Sequence, residues 1–192
     1  MDKHDQYPLE LRGKARDEAQ KVINRLWQIP RTGWRDRNVK NPETVGEHTD
    51  ALVNMAESLF DVPGLNIMLK IHDWAESEKE IGDIRTDSYC PIEKRWTPEK
   101  KAAAELAAMK KICKRLESVG AIIFVIWNEY EKRETERAKI AYQLDKLQAI
   151  LKAIEYQKNG ETVIAQEFIT NDAWKISHPS LKKILDKAIL KI

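Results

Sequence analysis

Residues 69–78 read LKIHDWAESE, setting His72, Asp73 and Glu76 into an otherwise packing-type helical stretch. Positions three and four apart share a helix face, so these three side chains can line one cavity. His72 also continues the apolar row Leu65–Met68–His72–Ala75, which turns it inward. His48 does the same in the row Val45–His48–Leu52–Met55. Asp145 interrupts a third apolar stripe, with Ala141 and Ala149 four residues to either side. An aspartate is a poor helix former in mid-helix, and small neighbours let it approach something closely. Taken singly, each has a plain explanation: a hydrogen-bonded core histidine, a solvated aspartate, a surface glutamate in the acidic run ESEKE. Together they do not, because buried carboxylates are costly unless they are paired or bind a metal. Two imidazoles and two carboxylates from three helices make a mixed nitrogen and oxygen ligand set. Such a set suits a divalent cation with positions left for water or substrate.

The elements that must position these residues are helices. Gly and Pro are seven each in 192 residues, and long stretches carry a helical period. The fold expected is all-α, a single-domain helical bundle spanning 1–192, since nothing marks a domain boundary. The first helix is expected over ARDEAQKVINRLWQI, ended by Pro30. The arginine-rich stretch PRTGWRDRNVKNP then reads as a loop. Thr44 with Glu47 three residues on has capping-box spacing and opens a second helix. A third starts near Gly64 and carries the opening decapeptide, and a loop from Gly82 to about Pro98 could act as a lid. TPEKKAAAELAAMKKICKRLE is expected to turn Ala102, Leu106, Met109, Cys113 and Leu116 inward. A core helix over AIIFVIWNEYEKR and a long one with Ile140, Leu144, Leu147, Leu151 and Ile154 as its spine follow. Pro179 suits the first turn of a last helix. Trp27, Trp127 and Trp174 fall in helical patterns and are expected in the core.

Bulk composition excludes several classes of function. Apolar residues are 42% and charged residues 33%, with a net charge of only +2. That balance argues against a dedicated nucleic-acid binder. The longest apolar run, AIIFVIW, is too short to span a bilayer. The first residues contain no apolar signal core, and Cys90 and Cys113 form no CxxC pattern. A reducing, cytoplasmic setting is the expectation, with no membrane partner.

The ordered set His48 … His72-Asp73 … Asp145 resembles the H…HD…D signature of the HD-domain metal-dependent phosphohydrolases. Three segments, IPRTGWRDRNVKNPETVGEHTDALVNMA, IHDWAES…IGDI and IWNEYEKRETERAKIAYQLDKLQAILKAIEY, are similar to the 5′-deoxynucleotidase branch of that superfamily. The resemblance covers about residues 20–157, leaving 158–192 as a C-terminal helical extension. It implies metal-dependent removal of phosphate from (deoxy)nucleoside 5′-monophosphates by a homodimer or higher homo-oligomer. It implies His48, His72, Asp73 and Asp145 as metal ligands and Glu76 as the catalytic glutamate, in the role of base or of acid. It also implies Asp83 as a second catalytic-site carboxylate, beside the sugar with Thr86 close behind, Trp34 as a wall against the deoxyribose, and Arg31, then Arg37, as the phosphate-holding arginine. Trp34 could instead plug the core. SEKEI is longer than the family's usual spacing before Gly82, and Gly33 stands where some relatives carry Arg.

One divalent ion is expected, with Mn, Co, Mg, Zn and Fe equally compatible with the ligand set. The remaining histidines, His4 and His178, are not placed to join it. Two other functions compete with the phosphomonoesterase. A deoxynucleoside triphosphate triphosphohydrolase would use the same ligands with Lys94, Arg95, Lys100 and Lys101 on the distal phosphates. A non-catalytic nucleotide-binding regulator would keep the pocket without turnover.

Overall fold

Helices make up every extended element among residues 11–86 and 94–192, which the computed structural model describes; the one β contact there is an isolated bridge between Pro30 and Thr44. His4, Cys90 and the centre of the expected lid lie outside the described residues. In chain order the helices are α1 (Gly13–Leu26), α2 (Thr32–Arg35), α3 (Val45–Leu59), α4 (Leu65–Ile71), α5 (Pro98–Arg115), α6 (Gly120–Lys132), α7 (Glu136–Lys158), α8 (Ala165–Asp172) and α9 (Pro179–Ile189). Among the described residues, no helix is long and apolar enough to cross a membrane.

The α3 start follows directly from its residues. Glu47 N–H donates to Thr44 Oγ1 (3.1 Å), and Thr44 N–H donates to Glu47 Oε2 (2.7 Å), closing the capping box. Two amide donors that the helix cannot satisfy are thereby paired. Pro179 begins α9 as expected.

Three expectations are corrected. The decapeptide is not one helix: α4 ends at Ile71, Asp73 leaves helical geometry (φ −99°, ψ 14°), and Trp74–Ser77 form a 3₁₀ turn. In such a turn side chains three apart eclipse, which keeps Asp73 and Glu76 on one edge. The arginine-rich loop contains the one-turn helix α2, which is too short to carry an apolar period. Exposure also departs from the pattern. Ala102 and Leu106 face solvent because α5 extends beyond the core at its start, and Trp174 is 76% exposed in a 3₁₀ turn.

Two apolar cores form. One gathers Leu52, Leu69, Leu144, Leu147 and Ile154 with α8 and α9. The other gathers α1 and the inner faces of α5 and α6 around Val45, Ile71 and Trp74. Along α3, His48 falls between Val45 of one core and Leu52 of the other. At the end of α4, His72 falls between Leu69 and Trp74 in the same way. The polar cluster therefore sits at the seam.

Candidate metal centre

His48, His72 and Asp145 converge from α3, the end of α4 and α7, each offering one ligand atom within 4.8 Å of the others. His48 Nε2 lies 3.2 Å from Asp145 Oδ1 and 4.0 Å from Asp73 Oδ2, and His72 Nε2 lies 3.0 Å from Asp73 Oδ2. The imidazole centroids are 5.6 Å apart. Three of the four side chains that the signature singles out thus converge, and the fourth, Asp73, lies within 4.0 Å of both histidine Nε2 atoms.

The protonation pattern of the rings suits a cation. His72 Nδ1 donates to the Leu69 carbonyl (2.7 Å), and His48 Nδ1 donates to Gln148 Oε1 (2.7 Å). With the proton fixed at Nδ1, each Nε2 carries a lone pair, the form in which imidazole binds metals. Both Nε2 atoms are buried and neither has a hydrogen-bond partner. Two orphaned ring nitrogens aimed at two carboxylates leave a gap that a divalent ion fits.

The electrostatics show that the cluster draws positive charge, held by a proton on His72 where no cation is bound. Burial alone would raise the carboxyls, yet Lys146, His48 and Arg31 hold Asp145 well below the usual range. Burial likewise opposes ionisation of Asp73, and His72, His48 and Arg31 reverse it. Burial pushes His72 down, but Asp73 and Asp145 outweigh it and the net direction is up. Glu76 is the exception. It is 4% exposed, and burial together with Asp73 and Asp83 pushes its carboxyl well above the ordinary value. Lys101 Nζ, 3.6 Å away and 3.4 Å from Glu105, offsets this only in part.

Beside the cluster opens a cavity of about 470 Å³, of a size that holds small ligands. Arg31, Trp34, Arg37, Asp83, Thr86 and Asp145 all line it. Arg31 has a buried Nη1 with no hydrogen-bond partner. Arg37 is engaged, pairing with Glu167 (3.0 Å) and donating to the Gly33 carbonyl (2.9 Å). Asp83 accepts hydrogen bonds from Thr32, through its carboxylate from the amide and through its carbonyl from the hydroxyl (2.7 Å), and so anchors α2. Trp34 is 2% exposed, stacked on Phe168 (4.7 Å) and edge-on to Tyr156 (5.1 Å). It is both core filling and cavity wall. His178 lies elsewhere, its ring 5.0 Å from Phe60.

The model of the HD domain matches residues 23–188 of the sequence. The chain belongs to the HD-domain family. The match runs through α8 and into α9, past the point near residue 157 where the motif resemblance stops. The 5′-deoxynucleotidase HDDC2 of Mus musculus is 32% identical over 87% of this chain and 83% of its own length. The 5′-deoxynucleotidase hdd1 of Schizosaccharomyces pombe is 29% identical over 87% and 85%. Two solved structures share the fold. The PH0347 protein of Pyrococcus horikoshii has a TM-score of 0.70 at 24% identity, covering 90% of this chain and 97% of that one. A protein of Magnetospirillum magnetotacticum, titled a predicted metal-dependent phosphohydrolase, scores 0.65 at 23% identity, covering 91% of each.

Several residues of this HD domain's cavity escaped the motif reading. Lys146, Glu167, Phe168, Asn171 and Lys175 line it, four of them from α8 and the turn after it. Gln148, which orients His48, carries a signal in hindsight: it lies three residues past Asp145 on the same helix face. Glu43, behind Gln148, has none beyond its place just before the capping box.

Proposed function

We propose that this HD domain is a metal-dependent phosphohydrolase acting on deoxynucleoside 5′-monophosphates, with His48, His72, Asp73 and Asp145 holding one divalent ion. The observation that carries the reading is the pair of buried, unpartnered Nε2 atoms facing two carboxylates, one of which, Asp145, lines a nucleotide-sized cavity. The names of the relatives, 5′-deoxynucleotidases over most of both lengths, support the substrate class. When bound, a divalent ion at this point supplies Lewis-acid stabilisation of a phosphoryl oxygen.

The chain's own residues supply the rest. Arg31 offers an unused donor to the phosphate, and a planar guanidinium fork matches two phosphate oxygens at once. Lys146, whose Nζ is 2.8 Å from Asp145 Oδ2, adds positive charge at the cavity wall. Glu76 handles the proton. Its raised carboxyl favours the protonated form, which suits delivery to the departing 5′-oxygen. Asp83 holds α2, and with it Arg31 and Trp34, against the sugar side. The reading extends to a cytoplasmic homodimer or higher homo-oligomer, which light scattering on the purified chain tests.

Of the four cations a triphosphate reading requires, Lys101 alone lines the cavity among the described residues, and it is already paired with Glu76 and Glu105. Lys100 lies over the Trp96 ring. The monophosphate reading is therefore favoured. Incubation with Mn²⁺ and either dAMP or dATP decides it: orthophosphate from dAMP is the expected product, and tripolyphosphate from dATP, or no turnover of either, overturns the proposal.

A further inference from the structure

Behind His48 runs a buried chain of hydrogen bonds with one fixed polarity. Gln148 Oε1 accepts from His48 Nδ1–H (2.7 Å), and Gln148 Nε2 donates to Glu43 Oε2 (3.0 Å). The other carboxylate oxygen, Oε1, accepts from the Trp34 indole N–H (2.9 Å). Glu43, Gln148, His48 and Trp34 are all buried. The Glu43 backbone is held as well: its N–H donates to Tyr156 Oη (2.7 Å), and its carbonyl accepts from Arg31 N–H (2.9 Å). One residue thus touches the segments that carry Arg31, Trp34 and His48.

We propose that Glu43 is a positioning residue that fixes the tautomer and aim of His48 through Gln148, while the same carboxylate fixes the cavity wall Trp34. The inference rests on the reading of His48 as a metal ligand. Its logic is donor and acceptor counting. An indole N–H only donates, and an imidazole must present Nδ1–H if Nε2 is to keep its lone pair. Between those two donors the chain needs an acceptor at each end. A carboxylate at 43 and an amide at 148 satisfy this in a single arrangement, because the carboxylate accepts twice and forces the amide oxygen toward His48. A buried donor left facing another donor is costly, so the arrangement is strongly held.

Glu43→Gln breaks the pattern with almost no change of shape. The new amide can still accept from Trp34, but its NH₂ then faces Gln148. Gln148 must turn its oxygen to meet that group, which brings its own NH₂ against His48 Nδ1. Nδ1 can accept only by losing its proton, and the proton then sits on Nε2, the atom aimed at the ion. The double variant Glu43→Gln with Gln148→Glu restores the pattern: amide oxygen to Trp34, amide NH₂ to the new carboxylate, and that carboxylate accepting from His48 Nδ1–H.

The test is Co²⁺ binding to the metal-stripped protein without nucleotide, followed by visible absorption and calorimetry, with Asp145→Asn marking the signal that belongs to this site. Glu43→Gln is expected to weaken binding by about 10–100-fold, the range for residues that orient a ligand, and the double variant to recover most of it. Wild-type affinity in Glu43→Gln, or a folded double variant as weak as the single one, overturns the proposal. Should Glu43→Gln fail to fold, the double variant decides alone: near-native binding supports the proposal, and weak binding or failure to fold refutes it. If the wild-type chain takes up no Co²⁺ here, the metal reading itself falls. Binding without turnover of dAMP undoes only the phosphohydrolase reading.

Discussion

Replacing Glu76 by Gln separates chemistry from architecture, because the structure makes opposite demands on the two. The carboxyl is 4% exposed, and its burial beside Asp73 and Asp83 drives it toward the neutral form, with Lys101 3.6 Å away as the main counterweight. An amide reproduces the shape and neutrality of the protonated acid but cannot transfer its proton. Stability should therefore be kept or slightly raised at pH 8, where the wild-type chain bears the cost of any charge on this group. Turnover should fall by about 10²–10⁴-fold, the usual worth of a positioned proton donor or acceptor, which is roughly 3–5 kcal/mol of barrier at 1.36 kcal/mol per tenfold. The loss should lie in kcat, because Glu76 is not counted among the ligands. The assay is orthophosphate release from dAMP at saturating Mn²⁺, run beside thermal unfolding and Mn²⁺ titration. Turnover within tenfold of wild type would refute the assignment. So would a loss of Mn²⁺ affinity as large as that of Asp145→Asn, which would make Glu76 a ligand rather than a proton carrier.

Three further outcomes are expected. Asp145→Asn removes the carboxylate nearest His48, so calorimetry should show Mn²⁺ binding weakened by more than the roughly 10–100-fold typical of orienting residues. Mn²⁺ is expected to raise the Tm of the wild-type chain, and that shift should vanish in the variant. In Gly46→Ala the added Cβ meets Trp27 Cγ at 2.6 Å; urea unfolding should show about 1–3 kcal/mol of destabilisation from overpacking. Burial raises Glu105 from 4.5 to about 7, with Glu131 and Asp73 adding to it against the opposing pull of Lys101. Folding therefore takes up a proton there, and stability present below pH 4.5 is lost as pH rises to about 7. Measured in chelator, the wild-type chain should lose roughly 3 kcal/mol more than Glu105→Gln across that window. Parallel pH profiles would remove the premise.

What could be read in advance divides along physical lines. His48 and His72 were legible because a polar residue inside a 3.6-residue apolar row must face inward whatever it meets there. The α3 start was legible because a capping box is a local hydrogen-bond exchange. Asp73 was misread in conformation though not in company: α and 3₁₀ turns keep residues three apart on a common side, so the pattern did not distinguish them. Leu106 continues a helical stripe at a point where α5 has left the core, and a stripe does not reveal where its partner ends; Trp174 falls in the 3₁₀ turn beyond α8, outside any helical face. α8 is eight residues long, with Ala165 its one fully buried position. Its contribution to the cavity arises from packing on α7, a tertiary contact with no local signature. Gln148 and Glu43 act 105 residues apart through one hydrogen bond, which no spacing rule joins.

The place of the cluster explains why so polar a group is tolerated in the interior. Four ionisable side chains in the middle of one apolar core would need partners on every side, since each unpaired buried charge is costly. At the seam, the Tyr130 ring packs edge-on to that of His72, 5.3 Å away. At Asp145 the cluster meets the cavity, where cations and an incoming anion can balance the carboxylates. The same location makes the geometry of the proposed ligands depend on how the two cores sit against each other. His48 is carried by a helix that joins Val45 of one core to Leu52 of the other, and at Gly46 in its first turn that helix lies too close to the Trp27 ring for a Cβ to fit. A change that shifts one core against the other by a few tenths of an ångström would spread the ligands before it unfolds the chain. Metal affinity should therefore be the more sensitive reporter of packing defects at this seam, and global stability the less sensitive one.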